Sequence, residues 1–258
     1  MIRVEAVSKS FGSRHILRRC SLEVGRGETL VVIGASGSGK STLLRILIGL
    51  VRPDEGRVLV DGKDVHALAH RDLQLLRARM GYLFQSGALL NWLTIGENVA
   101  LPLFEVLRWT KTRIAARVEE VLDLVGLSGT RDLLPDQVSG GMRKRAGLAR
   151  SLAMSPEILL YDEPTTGLDP VTSHIIDQVI LDLKEKLGVT SVVVSHDMAG
   201  TFRIADRVAM LYDGRIIAQG QPSEFQNTAD PLVRQFVTGA LEGPLKDKTA
   251  REAPKEAR

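Results

Sequence analysis

Cysteine is almost absent from this chain: Cys20 is the one cysteine in 258 residues. An internal disulfide is therefore excluded, the composition suits a reducing compartment, and Cys20 is expected to be buried filler. Long apolar runs are missing as well. No stretch reaches the roughly 20 uninterrupted apolar residues that a bilayer-spanning helix needs, because Arg45, Arg52 or glycines cut the longest candidates. Any membrane role is then expected to come through partners. The opening "MIRVEAVSKSF" alternates in polarity like a strand and has none of the apolar core of a signal peptide. Charge of one sign is also lacking. The 34 basic and 31 acidic residues leave a formal net charge of +3, too balanced to argue for a nucleic-acid surface. No internal repeat is visible, so whatever unit the chain carries, it carries once.

What is present is an ordinary globular composition, 44% hydrophobic and 25% charged, long enough for one large domain or two lobes sharing a core. Residues 1 to about 34 read as short strands, "RVEAVSKSF", "SLEV" and the buried-looking "TLVVIG". "KSTLLRILIGL" is a helical pattern that stops at Pro53, and "RVLVDG" is a further strand. From about 86 to 150 the periodicity is helical, with "IGENVALPLFEVL", "RIAARVEEVLDLVGL" and "GMRKRAGLARSLA" as amphipathic candidates. Strands then return as "EILLYDEP", "TSVVVSHD" and "VAMLYDG", separated by helical "PVTSHIIDQVILDLKEKL" and "MAGTFRIAD". This order predicts an α/β fold with a mixed-sheet core interrupted by a helical subdomain. The expected divisions are a first core portion over 1–85, the helical subdomain over 86–155, the rest of the core over 156–228 and an extension over 229–258. The last stretch, "EGPLKDKTAREAPKEAR", has almost no large apolar residues and is expected to stay mobile or to order on binding something.

"GASGSGKS", Gly34 to Ser41, fits Gly-x-x-x-x-Gly-Lys-Ser between an expected strand and an expected helix, where a phosphate loop has to sit. Its glycines let the backbone curl so that N–H groups point at phosphate oxygens, and the helix N-terminus adds its dipole. Contacts to a nucleoside triphosphate are expected from Gly34, Ala35, Ser36, Gly37, Ser38, Gly39, Lys40, Ser41 and Thr42. Lys40 would reach the β and γ phosphates, and Ser41 would place its hydroxyl on Mg²⁺. The alternative, a glycine-rich turn without chemistry, is disfavoured by the strand–loop–helix setting.

"ILLYDEP" runs four apolar residues into Asp162 and Glu163. One carboxylate there could be a helix cap, but two followed by proline beside a phosphate loop favour chemistry. Asp162 is expected to orient Mg²⁺ and Glu163 to act as general base on the attacking water. "TSVVVSHD" ends at His196, read as a γ-phosphate sensor, and Gln85 in "GYLFQ" is placed to touch Mg²⁺ or water. His15, His66, His70 and His174 have no such setting and are read as surface residues.

A second stretch, "DQVSGGMRKR", puts Ser139, Gly140 and Gly141 at a helix start with Arg143, Lys144 and Arg145 behind them. The order "GASGSGKS", "FQS", "VSGGMRKRAGLARSL", "ILLYDEPTTGLDP", "VVVSHD" resembles the ATPase subunits of ABC transporters, from Phe11 to about Gln219. The resemblance implies a P-loop NTPase fold of the ABC ATPase type and a head-to-tail pair of identical subunits sandwiching two ATP molecules. It implies that Ser139, Gly140 and Gly141 contact the γ-phosphate held on the partner's loop. It implies too that Asp169 links the two sites and that Phe11 stacks on adenine, the alternative for Phe11 being a core residue at a strand end. The signature departs from the commonest "LSGGQ" with Val138 for Leu and Met142 for Gln, so a polar contact from the fifth position is lost.

"FQSGALLNWLTIGENVALPL", "SGGMRKRAGLARSLA" and "DPLVRQFVTGALEGP" are similar to ATPases serving Mce-type lipid transporters, among them the Mla phospholipid system of Gram-negative bacteria. That resemblance implies integral-membrane permease subunits, a periplasmic Mce-domain protein, a small STAS-domain protein and a place on the cytoplasmic face of the inner membrane. Apolar "GALLNWLTI" with Trp92 suits a groove that receives a permease helix, although Leu89, Leu90 and Leu93 could equally pack the helical subdomain. An importer ATPase for a polar solute such as an amino acid is the alternative, distinguished by the "QSGAL" segment and the tail. A soluble ABC ATPase acting on nucleic acid is disfavoured by the balanced charge, the single cassette and the absence of a long coiled coil.

Overall fold

Runs of β-branched and alternating residues make strands of the first third of the chain, and glycines close the turns between them. The computed structural model describes residues 1–245. It begins with β1 (Ile2–Phe11), β2 (Arg14–Val24) and β3 (Thr29–Ile33), then α1 (Lys40–Leu47), β4 (Glu55–Val60), β5 (Lys63–Asp64), α2 (His70–Ala78) and β6 (Met80–Leu83). Three helices follow, α3 (Ile95–Glu105), α4 (Lys111–Leu124) and α5 (Gly140–Leu152). After them the chain alternates through β7 (Ile158–Asp162), α6 (Pro170–Leu187), β8 (Thr190–Ser195), α7 (Met198–Ile204), β9 (Arg207–Tyr212) and β10 (Arg215–Gly220), and finishes with α8 (Pro222–Gln226) and α9 (Pro231–Thr238). Of the tail expected to stay mobile, residues 246–258 lie outside the described residues.

Among the described residues the strands form two sheets. One is antiparallel, in the order β2-β1-β4-β5; the other runs β10-β9-β3-β8-β7-β6, with all its pairs parallel except β10 against β9. β3, β7 and β8 are buried along their whole length, as parallel strands covered on both faces must be, and they read as unbroken apolar runs. β10 lies at the edge and alternates between exposed and half-buried residues. Successive side chains of the central strands enter two different cores. Val31, Ile33, Leu159, Tyr161 and Val193 join residues of α3, α4, α5 and α6, whereas Leu30, Val32, Ile158, Leu160, Val192 and Val194 join α1 and the antiparallel sheet. Each such Leu, Ile or Val side chain contributes about 1.5–3 kcal/mol by leaving water. Cys20 is free and buried in the second core, and desolvation pushes its thiol up to about 12.

Several local expectations are corrected. The second strand starts at Arg14 instead of near Ser21, because its first half pairs with β1 back to Phe11. Helix α1 ends at Leu47 rather than near Pro53, since Gly49 takes a left-handed φ of 76°. The first helix of the 86–150 block begins at Ile95, as the pattern "IGENVALPLFEVL" predicts, with residues 86–94 irregular ahead of it, and Thr94 caps it: the Thr94 hydroxyl accepts from the Glu97 N–H, and Glu97 accepts from the Thr94 N–H. His66 is not a surface residue. It is half-buried, with Nε2 3.0 Å from the Ile46 carbonyl, and burial lowers its pKa because the turn after β5 folds back on α1.

The irregular 86–93 segment is tied down by Asn98, which is 0% exposed. Its Oδ1 accepts from the Leu90 N–H at 2.8 Å, and its Nδ2 donates to the carbonyls of Leu90, Leu93 and Thr94 at 3.0, 3.1 and 2.9 Å. Asn98→Ala is expected to destabilise the fold by about 2–4 kcal/mol, because each buried polar group left unmatched costs about 1–3 kcal/mol. The measurement is urea unfolding, in which the midpoint should fall at constant slope; an unchanged midpoint would mean that the segment is held by something else.

Candidate functional site

The parallel ladder aligns the carboxyl ends of four strands. Ile33 on β3 pairs with Ser195 on β8, Val194 on β8 with Asp162 on β7, and Tyr161 on β7 with Leu83 on β6. The loops leaving those ends, carrying Gly34 onward, His196, Glu163 and Gln85, therefore open on one side of the sheet, the position of ligand sites in open α/β folds.

The loop after β3 curls through Gly37 and Gly39, at φ of 74° and 106°. At Gly39 a side chain would in addition stand 3.0 Å from the Ile16 carbonyl oxygen, so β2 and the loop can meet only at a glycine. Helix α1 starts directly behind it with no side-chain cap and no acidic residue in its first turn, which leaves its leading N–H groups free for an anion. Lys40 is 4% exposed; its Nζ donates to the Gly34 carbonyl at 2.7 Å and the Ala35 carbonyl at 3.1 Å, and lies 3.5 Å from Glu163 Oε1. Burial lowers its pKa, and the neighbouring Glu163 charge opposes that.

Asp162 and Glu163 face different partners, as strand alternation predicts. Asp162 Oδ1 accepts from Ser41 Oγ at 2.7 Å and Oδ2 accepts from the Tyr82 hydroxyl at 3.0 Å. Burial, with Asp162 beside it, raises the Tyr82 pKa and keeps the phenol a donor. Glu163 leaves the strand at a left-handed φ of 49°. Its Oε2 accepts from Thr166 Oγ1 at 2.8 Å and lies 3.2 Å from His196 Nδ1, while the Gln85 amide approaches it at 3.5 Å. Burial raises the Glu163 pKa, but the Thr166 hydroxyl and the charges of Lys40 and His196 outweigh it and hold the carboxyl below its ordinary value. The site thus keeps Glu163 ionised. Phe11 is not a core residue: it is 52% exposed at the tip of the β1–β2 hairpin, with Lys9 Nζ 5.4 Å from its ring centre. Its pairing partner Arg14 reaches within 3.7 Å of where a side chain on Gly37 would stand, so the hairpin tip lies beside the loop.

The second glycine-rich helix start is built separately. Ser139 caps α5, its hydroxyl accepting from the Met142 N–H at 3.2 Å. Gly141 has to be glycine, because a Cβ there would collide with the Thr172 methyl on α6. Asp169 caps α6, accepting from the N–H groups of Val171 and Thr172 at 3.0 Å and from Thr172 Oγ1 at 2.5 Å, bonds that hold its carboxyl below the usual range. Two helix starts, α5 and α6, thus stand side by side. Among the described residues no hydrogen bond joins Ser139, Gly140 or Gly141 to residues 34–42.

Sequence reasoning missed Tyr82, Thr166, Lys144 and Arg150. Arg150 donates to the carbonyls of Gly87 and Ala88 at 2.9 and 2.8 Å, fastening the segment after Gln85 to α5. Tyr82 and Thr166 lie within the stretches read as motifs, but their partners become visible only when β6, β7 and the turn after β7 are placed together.

The family model described as ABC transporter matches residues 17–166. The chain is 41% identical over 245 residues to the intermembrane phospholipid transport system ATP-binding protein MlaF of Escherichia coli K12, covering 95% of this chain and 91% of that one. It is 40% identical over 262 residues to the chloroplastic protein trigalactosyldiacylglycerol 3 of Arabidopsis thaliana, covering 95% of this chain and 76% of that one. Its fold superimposes with a TM-score of 0.79, at 34% identity and over 86% of this chain and 99% of the other, on a solved dimeric post-hydrolysis state of the ATP-binding cassette MJ0796 bound to ADP and Pi. With more than half of the chain matched by the family model and relatives this similar over nearly all of it, the chain belongs to the ABC transporter family, as one of its ATP-hydrolysing subunits.

Proposed function

We propose that the chain powers phospholipid movement between two membranes, closing on a second copy of itself when ATP binds and opening when ATP is hydrolysed. One observation carries the mechanism: Lys40, Asp162, Glu163 and His196 gather around one phosphate loop, while Ser139, Gly140 and Gly141, the other anion-type helix start, make no bond to that loop. A chain with half of a site at each of two places completes both when two copies stack head to tail. The N–H groups of residues 34–42 and the Lys40 ammonium hold the triphosphate, and Phe11 lies against the base. Ser139, Gly140 and Gly141 of the opposite copy reach the γ-phosphate.

The neighbouring hydroxyl of Ser41 and carboxylate of Asp162 are hard oxygen donors that would hold Mg²⁺, with Gln85 read as a further ligand from its place beside Glu163. That ion would neutralise charge on the β and γ oxygens. Glu163, ionised and next to the loop, takes the proton of the attacking water, and His196 holds the γ-phosphate side. Asp169, which caps α6, links the two nucleotide sites across the interface of the pair. Because ATP bridges the copies, binding favours the closed pair and loss of the γ-phosphate removes that preference.

For the membrane subunits, a depression lined by Tyr82, Phe84, Ala88, Leu101, Pro102 and Met154 fits a short permease helix. Trp92, 75% exposed, and the exposed Phe104 add apolar surface on the same subdomain, whereas Leu89 packs into the core. No helix among the described residues is long and apolar enough to cross a membrane. The reading places the chain on the cytoplasmic face of the inner membrane with permease subunits, an Mce-domain periplasmic protein and a small STAS-domain protein. Similarity to MlaF over 95% of the chain supports phospholipid as cargo.

Glu163→Gln is expected to keep ATP binding, lower turnover at least about a hundredfold, and trap an ATP-dependent dimer seen by light scattering. Turnover near the parent rate would remove Glu163 as base. For the cargo, the chain is purified from detergent-solubilised native membranes through an N-terminal tag and its companions are identified by mass spectrometry. A permease, an Mce-domain protein and a STAS-domain protein support the lipid reading; a periplasmic solute-binding system overturns it.

A further inference from the structure

Lys144 stands on α5 one turn beyond the Ser139–Gly141 start and is 6% exposed. Its Nζ donates to the Thr166 carbonyl at 2.6 Å and to the Glu163 carbonyl at 3.2 Å. Burial lowers its pKa to about 8, with the Glu163 charge working the other way. An ammonium out of water with carbonyls as its hydrogen-bond partners is a costly way to fill space that Met or Leu would fill freely, so packing alone does not account for it.

What the lysine holds is the one turn where Glu163 departs from the strand. Glu163 is left-handed there, a conformation a non-glycine side chain keeps only when its surroundings impose it. The Glu163 N–H is fixed on the Val194 carbonyl at 3.0 Å, and its carbonyl receives both the Thr166 N–H at 3.3 Å and Lys144. The Thr166 hydroxyl then orients the carboxylate itself. Lys144 therefore closes the turn from outside, and it does so from the helix whose first residues form the second anion site.

We propose that Lys144 is a positioning residue for hydrolysis: it fixes the Glu163 backbone so that the carboxylate faces the phosphate loop, and it makes that placement depend on where the signature end of α5 sits. The proposal rests on the two-copy reading, since it is the partner's nucleotide that draws on Ser139, Gly140 and Gly141. Engagement of α5 by one ATP then sets the base that acts on the other, a link separate from Asp169. Arg150, further along α5, fastens the segment after Gln85 to the same helix.

The test compares Lys144→Met, similar in length and without donors, with Lys144→Arg, which keeps charge and donors. Full-length protein is assayed for kcat and for the ATP KM, and ATP-dependent dimerisation is measured with each substitution placed in the Glu163→Gln chain. Expected is a kcat at least about tenfold lower in Lys144→Met with KM and dimerisation unchanged, and recovery of most of it in Lys144→Arg. A kcat within about twofold of the parent overturns the proposal, as does a loss in which KM rises alongside kcat or which arginine does not recover. Failure of the two-copy reading looks different: Glu163→Gln alone would then show no ATP-dependent dimer.

Discussion

Everything in the site depends on the parallel hydrogen-bonded register of β3, β8, β7 and β6. In a parallel sheet all strands end on the same side, so four segments far apart in sequence discharge their loops into one space. One residue of slip would turn Asp162 away from Ser41 and exchange the two cores, because alternate residues of each strand feed opposite faces. The register is pinned by unbroken apolar runs buried on both faces. The stability of the core and the placement of the chemistry are thus one requirement.

Within that frame, charge is arranged before any nucleotide arrives. Lys40 is folded onto the carbonyls of Gly34 and Ala35 and against Glu163, and His196 lies on the other oxygen of the same carboxylate. A buried cation and anion that satisfy one another are cheaper than either alone. A triphosphate offers Lys40 a stronger partner than the carbonyls, so binding draws the Lys40 charge away from Glu163. The base becomes more basic when there is water to activate.

Much of the frame was legible in the chain. The helix over 170–187 is bounded by Asp169 as cap and by left-handed Gly188, both ordinary helix punctuation, and the apolar strands before Asp162 and His196 ended where expected. Lys40, Ser41, Asp162, Glu163, His196 and Gln85 do come together at the loop, whereas Ser139, Gly140 and Gly141 make no hydrogen bond to it. What stayed hidden was set by contacts across long sequence separations. Nothing near Lys144 in the chain says that its ammonium turns inward toward the carbonyls of Glu163 and Thr166, because with Arg143 and Arg145 it reads as part of the basic stretch behind Ser139, Gly140 and Gly141. His66 looked like a surface histidine because the fold-back onto α1 cannot be seen from its neighbours.

The central claim is that each site is shared between two copies, and mixing two disabled chains tests it most directly. Lys40→Ala spoils the phosphate loop and leaves the signature whole; Ser139→Arg spoils the signature and leaves the loop whole. Each alone should be inactive. Combined, they form some dimers in which the intact loop of one chain meets the intact signature of the other, so the account predicts that ATPase activity returns on mixing. A mixture as inactive as its parts would contradict it and place a complete site within each chain.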